Sequence, residues 1–513
     1  FVQGSSPWRR TERSDFADIR GCGVGLFYCE HIILYIFHLS MACKPSRIKT
    51  GGRAFFVLTG GFIMEQNQRF LLEKPVFPLL VSMAVPVMLS MLINSLYNVV
   101  DSIWVSRLGT DAITAVSLAF PLQNIIMALG VGLGVGVSSL ISMSLGAGNR
   151  NKADHLASAG LSLALIHCLL FIALGIFITR PFLGMFTDNP QIFEWAYSYT
   201  FIVLCLSSGQ VLQMYMEKLF QGVGRMKTTM FLMASGCLIN IVLDPILIFG
   251  WFGAPAMGVS GAAVATVIGQ FGALLLYILV YLKTNLGVSI RPRLMNLNRE
   301  LIRSIYSIAI PSSLLLAMPS LLTGILNGIL TTFGSVYVAA FGLYFKLQTF
   351  VNLPCNGLLQ GMRPIIGYNY GAERHDRVRS TIRCSLGLVT VVTLTGTIAS
   401  IFFPGPILRI FDADPELMQY GTEALRMIGP SFLISSVAFI AAGVFEALGQ
   451  GRPSLIISLL RQLVIIVPLG WILSRFMGPA GIWISFPIAE LIAAVIAWKM
   501  MGKIYADHPE NTH

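Results

Sequence analysis

The stretch Ser90-Met-Leu-Ile-Asn-Ser-Leu-Tyr-Asn-Val-Val-Asp-Ser-Ile-Trp-Val-Ser-Arg-Leu-Gly109 combines two properties that are rarely found together. It lies in an apolar run that begins near Leu79 and is long enough to cross a bilayer, which takes about 20 mostly apolar residues. Within it, Asn94, Asn98 and Asp101 recur at spacings of four and three, so one helical face carries all three. A carboxylate at that depth costs about 2.5–3.5 kcal/mol unless it faces a polar cavity or a bound cation. The stretch therefore reads as a membrane-spanning helix with a working polar face, and Asp101 is its first candidate residue.

The rest of the chain has the same character. Of its 513 residues, 55% are hydrophobic and only 12% charged, about half the charged fraction of soluble domains. The mean hydropathy is +0.74. A net charge of +11 would suit a nucleic-acid partner, but the basic residues sit in loops between apolar runs, which argues against one. Eight cysteines, at positions 22, 29, 43, 168, 205, 237, 355 and 384, show no CxxC and no metal-ligand spacing with histidine. They imply neither redox chemistry nor a resident cofactor. Histidines are scattered, and no nucleophile–base pair stands out, so an enzyme is not expected.

Residues 1–63 differ from the remainder in their mixed polar sequence and are expected to be a non-native or unstructured extension ahead of Met64. From Leu79 onward twelve apolar spans follow, near 79–106, 112–143, 154–179, 191–221, 228–250, 258–283, 302–332, 336–367, 381–403, 416–448, 453–474 and 481–502. Backbone groups in lipid must be satisfied internally, so these are helices. With the N-terminus inside, the inner segments hold eighteen Lys and Arg residues, against Arg107, Arg180, Arg409 and Arg475 outside. The positive-inside rule thus predicts both termini in the cytoplasm of a multi-pass protein of the cell inner membrane.

An internal repeat organises the spans. A shift of 225 residues brings Pro86 onto Pro311, Gly109 onto Gly334, Gln123 onto Gln348, Gly146-Ala147 onto Gly371-Ala372 and Pro190 onto Pro415. The offset drifts to 220 where Gly258 and Gly261 meet Gly478 and Gly481. Each half holds six spans, an even number, so the halves share orientation and form a parallel repeat. The fold class predicted is an all-α membrane protein of twelve transmembrane helices, in two six-helix lobes flanking a central cavity. An N-terminal lobe, 64–293, holds the cation site, and a C-terminal lobe spans 294–513.

Asn240 and Asp244 share a face of the fifth span at i and i+4. By helical rise, Asp101, Asp244 and Thr266 reach similar depths in the outer half of their spans. Oxygen ligands at common depth suit a sodium ion or a transferable proton. The repeat places Asp101 on Leu326 and Asp244 within the apolar Val464–Leu469, so coupling is expected in the first lobe alone. Tyr97, Asn98 and Gln123 are candidate cavity-lining residues, and Pro86 is a candidate gating bend four turns before Asp101. Glu490 and Arg461 lie at comparable depth and read as a structural ion pair. Glu217 and Lys218 read as snorkelling residues at an inner helix end. Lys346 and Arg363 are intramembrane, with no partner evident from sequence. Gly130-Val-Gly-Leu-Gly-Val-Gly136 follows no strand and lacks a P-loop Lys, so it reads as a close-packing face.

Taken in order, these motifs resemble the multidrug and toxic compound extrusion (MATE) family over Phe70–Lys503. The resemblance is carried by Asn98-Val-Val-Asp101, Arg107-Leu-Gly109, Gly146-Ala-Gly148, Asn240-Ile-Val-Leu-Asp244-Pro245, Gly258-Val-Ser-Gly-Ala-Ala-Val-Ala-Thr266, Pro364-Ile-Ile-Gly-Tyr-Asn-Tyr-Gly-Ala372 and Pro487-Ile-Ala-Glu490. It implies a secondary antiporter that exports organic, often cationic and aromatic compounds and drugs in exchange for Na+ or H+. It also implies that Asp101, Asn240, Asp244 and Thr266 match the family's first-lobe cation site, where Na+ would bind, and that Pro86 matches its bend. Some branches carry a further carboxylate in the seventh span, where this chain has only Asn327. A monomer in the lipid bilayer, without nucleic acid, is expected. A lipid-linked precursor flippase is the alternative, but it would call for a strongly basic central cavity.

Overall fold

The computed structural model describes residues 70–506, and the extension expected at 1–63 lies outside them. Among the described residues the regular elements are all helical. The first lobe comprises α1 (Val76–Ser106), α2 (Thr110–Gly146), α3 (Arg150–Phe177), α4 (Pro190–Cys205), α5 (Ser208–Gly222), α6 (Met226–Phe249) and α7 (Val259–Lys283). The second comprises α8 (Arg299–Leu330), α9 (Ser335–Gly371), α10 (His375–Phe402), α11 (Pro415–Ile428), α12 (Pro430–Ala447), α13 (Gly451–Leu459), α14 (Ile466–Met477) and α15 (Pro479–Ala506).

Among the described residues, ten helical segments are long and apolar enough to span a bilayer. Two further crossings complete the twelve. One is α9, whose 37 residues include Lys346, Gln348, Gln360, Arg363 and Asn369. The other is the pair α4 and α5, which the sequence reads as one helix over 191–221 but which breaks at Leu206–Ser207. The tenth span breaks likewise at Gly429, between α11 and α12. The eleventh contains a π-helical turn, Leu460–Val464, between α13 and α14. Neither kind of break changes the apolar pattern, so hydropathy passes over both.

The repeat extends to the secondary structure. The 225-residue offset carries Thr110–Gly146 onto Ser335–Gly371 and Arg150–Phe177 onto His375–Phe402, end for end. The turns entering α2 and α9 use Gly109 and Gly334 with φ of +112° and +141°, backbone that favours glycine.

The helix ends bearing the basic loops define one side of the molecule, here the basic side. The lobes meet in the halves of their helices nearest that side. Gly132 of α2 packs on Ser313 and Ala309 of α8, and Gly136 on Ile305. Gly357 and Gly361 of α9 pack on Met88 and Ala84 of α1. At the ends of α2 and α9, a Cβ on Gly146 would overlap the carbonyl of Tyr368, and one on Gly371 that of Met143. Glycine here permits backbone-to-backbone crossing, the close-packing role expected of the Gly130–Gly136 run. The linker between lobes runs along α3, where Asp154 accepts from the Ser289 amide at 2.7 Å and pairs with Arg291 at 3.3 Å.

Candidate functional site

Two glycines bring the polar faces together. A Cβ on Gly236 of α6 would lie 2.8 Å from Ala273 Cβ, and one on Gly269 of α7 would lie 3.1 Å from Asn240 Cβ. Their absence lets α6 and α7 touch, so that Asn240 Nδ2 donates to Thr266 Oγ1 on the neighbouring helix at 3.3 Å. The same amide donates to Asp244 Oδ1, one turn away, also at 3.3 Å. Asp244 is fully buried, Asn240 and Thr266 nearly so. From α1, Asp101 lies close enough to Asp244 for the two carboxyl groups to interact.

The polar ledger of this site does not balance within the protein. Asp101 Oδ1, Asn240 Oδ1 and Asp244 Oδ2 are all buried with no hydrogen-bond partner. All three are acceptors. Buried acceptors are ordinarily satisfied, and two carboxylates this close in low dielectric require positive charge between them. The donor set is carboxylate, amide and hydroxyl oxygen, which suits a hard cation such as Na+ or a proton held between the carboxylates. The residues therefore fit a cation site, with Asp101, Asn240, Asp244 and Thr266 brought together from three helices.

Two tyrosines lie beside the site, of which the sequence reading singled out Tyr97 alone. Tyr97, on α1, is near both carboxylates. Tyr199 of α4 likewise lies close to both, and Gln123 Nε2 donates to its hydroxyl at 3.4 Å. Trp104, one turn beyond Asp101, stacks edge-on against Phe249 and Trp251 at 6.1 and 5.8 Å and carries Arg107 over its ring. A mid-span tyrosine or tryptophan gives no periodic signal, so neither Tyr199 nor Trp104 stands out in a single sequence. Asn98 is exposed and donates to the Asn94 carbonyl of its own helix at 2.9 Å. Pro86 is buried in α1, and Ser90 Oγ donates to its carbonyl at 2.9 Å.

The remaining intramembrane charges find partners on other elements. Arg461, on the π turn, holds Glu490 of α15 through two hydrogen bonds of 3.1 and 2.8 Å. Arg363 pairs with Glu446 of α12, a carboxylate the sequence reading overlooked. Lys346 sits 5.1 Å over the Phe411 ring. The snorkelling read for Lys218 is incorrect: it is 5% exposed and bonded inward to Gln221 and Gln360. Its stem lies along Gly134 of α2 and its ammonium reaches Gln360 of the second lobe, so the side chain points into the protein rather than to a membrane surface.

The MatE family profile matches residues 86–246 and again 309–472, once in each lobe. The chain belongs to the MatE family. MatE proteins are multidrug efflux transporters rather than enzymes, and this one is a multi-pass membrane protein. Among curated relatives, the multidrug export protein MepA of Staphylococcus aureus (strain NCTC 8325 / PS 47) is 29% identical over 448 residues, spanning 85% of this chain and 95% of MepA. MepA of Staphylococcus haemolyticus is 26% identical over 436 residues, with the same coverages of 85% and 95%. Among solved structures, a MOP-superfamily transporter from Pyrococcus furiosus, described as having a binding pocket of reversed polarity, matches with a TM-score of 0.79 and 26% identity. That match covers 86% of this chain and 99% of the other. An outward-facing multidrug-resistance MATE transporter matches at 0.78 and 26%, covering 87% and 98%. The two-lobe arrangement around a central cavity read from the repeat is thus the MATE architecture.

Proposed function

We propose that this MatE protein is a secondary antiporter of the cell inner membrane, its basic side and both termini in the cytoplasm. It exports organic, often cationic and aromatic compounds and drugs in exchange for Na+ or H+. The carrying observation is the set of three unpartnered buried oxygens on Asp101, Asn240 and Asp244. A cation arriving from outside would be taken up between the two carboxylates, with Asn240 and Thr266 completing its oxygen shell.

The work divides among the residues by chemistry. Asp101 and Asp244 supply the charge. Asn240 spends both N–H donors on Thr266 and Asp244, which leaves its carbonyl oxygen directed at the site. Neutralising two facing carboxylates removes their repulsion and draws α1 toward α6. Pro86, which lacks the backbone donor, gives α1 a point at which to bend in response. Cation binding at one site and compound binding in the central cavity then shift the same two-state equilibrium, as antiport demands.

The test is efflux of a cationic dye from energised vesicles by the full chain, with Na+ and proton gradients collapsed in turn. Asp101→Asn and Asp244→Asn should each abolish gradient-driven efflux. Normal efflux in both variants would remove the coupling assignment. Loss of cell-envelope synthesis on deletion, with no change in drug sensitivity, would favour a lipid-precursor flippase instead.

A further inference from the structure

Lys218 is a cation buried between the lobes. It lies one turn from the end of α5, and its stem crosses Gly134 of α2, where any Cβ would overlap it. Its ammonium donates to Gln221 Oε1 at 2.9 Å and to Gln360 Oε1 at 2.7 Å, and lies 3.4 Å from Glu217 Oε1. An ammonium has three donors, and all three are thereby assigned. Two go to the first lobe. The third goes to α9 of the second.

Gln360 is itself held in place. Its amide reaches Met91 Sδ of α1 at 3.8 Å, ten residues to the basic side of Asp101. One turn on, Arg363 is fixed by Glu446, which also accepts from Ser312 of α8 at 2.8 Å. Two other side chains bond across the lobes nearer the basic side, while His167 of α3 and Tyr306 of α8 meet across them at 2.9 Å, away from this space. Asn369 donates to the Leu71 carbonyl at 3.0 Å, and Arg377 to those of Leu71 and Lys74 at 3.2 and 2.6 Å. Lys218–Gln360 differs from these because it ties a buried ammonium of one lobe to a part-buried side-chain amide of the other, in the space between the lobes. Opening the molecule toward the basic side must part that bond. Water would then reach both groups, so the bond holds only while this side is closed.

We infer that Lys218 is a positioning residue of the transport cycle, holding the basic-side halves of the lobes together through Gln360 until the path opens there. The inference rests on the chain being an alternating-access transporter but on no particular exported compound or coupling ion. Its test therefore reads access rather than efflux.

Ser139 is 1% exposed and lines the same inter-lobe space as Lys218, Gln360 and Arg363. In the whole chain in nanodiscs, with its eight cysteines replaced by alanine, Ser139→Cys is labelled with a membrane-impermeant maleimide. Lys218→Met and Gln360→Leu should each speed labelling about tenfold, the shift expected from losing one charge-assisted hydrogen bond. The double variant should be no faster than either single one, and Lys218→Arg should stay near the parent. Gln360→Glu, which adds charge to the contact, should slow labelling. Unchanged labelling in both single variants, additive effects in the double, or faster labelling in Gln360→Glu would overturn the inference. Should the Met and Leu variants fail to fold, the sign of the Gln360→Glu change decides alone.

Discussion

Asn240 illustrates how one uncharged side chain sets the geometry of a charged site. Both its donors are committed, to Thr266 and to Asp244, so the direction of its carbonyl oxygen follows from its neighbours. Asn240→Leu should weaken the apparent affinity for the coupling cation about tenfold or more, since hydrogen bonds to charged groups contribute about 1.5–3 kcal/mol. Thr266→Val removes an uncharged ligand of similar shape and should cost about three- to tenfold on the usual scale of a neutral hydrogen bond. Half-maximal cation concentration for dye efflux separates the two, and a Thr266→Val effect larger than Asn240→Leu would reverse this order of importance. Tyr199 predicts something different. Tyr199→Phe leaves Gln123 without its partner but removes no cation ligand, so turnover should change while cation affinity should not.

At the scale of elements, what the sequence disclosed depended on whether a feature altered hydropathy or periodicity. Spans were legible because lipid demands long apolar helices, and the i, i+4 spacing of Asn240 and Asp244 set them on one face by helical geometry alone. The breaks at Leu206–Ser207 and Gly429 and the π turn at Leu460–Val464 were not legible, because an apolar run looks the same whether or not its hydrogen bonds shift register. Lys218 was misread for a related reason. A lysine near a helix end reads as snorkelling until one knows that Gln360 of the second lobe lies within its reach. Gly236 and Gly269 were not singled out in the sequence, because a lone glycine in an apolar run does not tell which neighbour it admits; here they bring Asn240 to Thr266. Gly236→Ala should therefore act twice. It should destabilise the α6–α7 contact by about 1–3 kcal/mol through overpacking, seen as a lower thermal midpoint, and it should weaken cation affinity without touching a ligand. Normal affinity in a destabilised variant would mean that α7 shifts along α6 rather than away from it. Pro86→Ala restores a backbone donor to α1 and should retain the fold while slowing efflux, and an unchanged efflux rate would remove the bend from the cycle.

Over the whole molecule, the two lobes have the same helices in the same order but different chemistry at equivalent depths. The 220-residue offset of the last helix in each lobe carries Thr266 to Phe486 and Gln270 to Glu490. The 225-residue offset carries Gly236 to Arg461, so an arginine–glutamate pair stands one turn to the basic side of where the first lobe holds its unpartnered oxygens. The second lobe in effect carries its own cation, covalently attached. One transported cation per chain is the expectation, and it has a thermodynamic signature. Saturating cation should raise the thermal midpoint, a linkage effect of about 2.7 kcal/mol at a hundredfold excess over Kd. Asp244→Asn should abolish this rise. Glu490→Gln should lower the starting midpoint, because it leaves Arg461 buried and unpaired at a cost of about 3–5 kcal/mol, yet preserve the cation-dependent rise. Replacing Arg461 and Glu490 together by apolar residues of similar volume should recover much of the lost stability, since a buried pair contributes little beyond its own mutual satisfaction. Disappearance of the cation-dependent rise in Glu490→Gln would instead make the second lobe part of the coupling site, and the asymmetry between the lobes would have to be sought elsewhere.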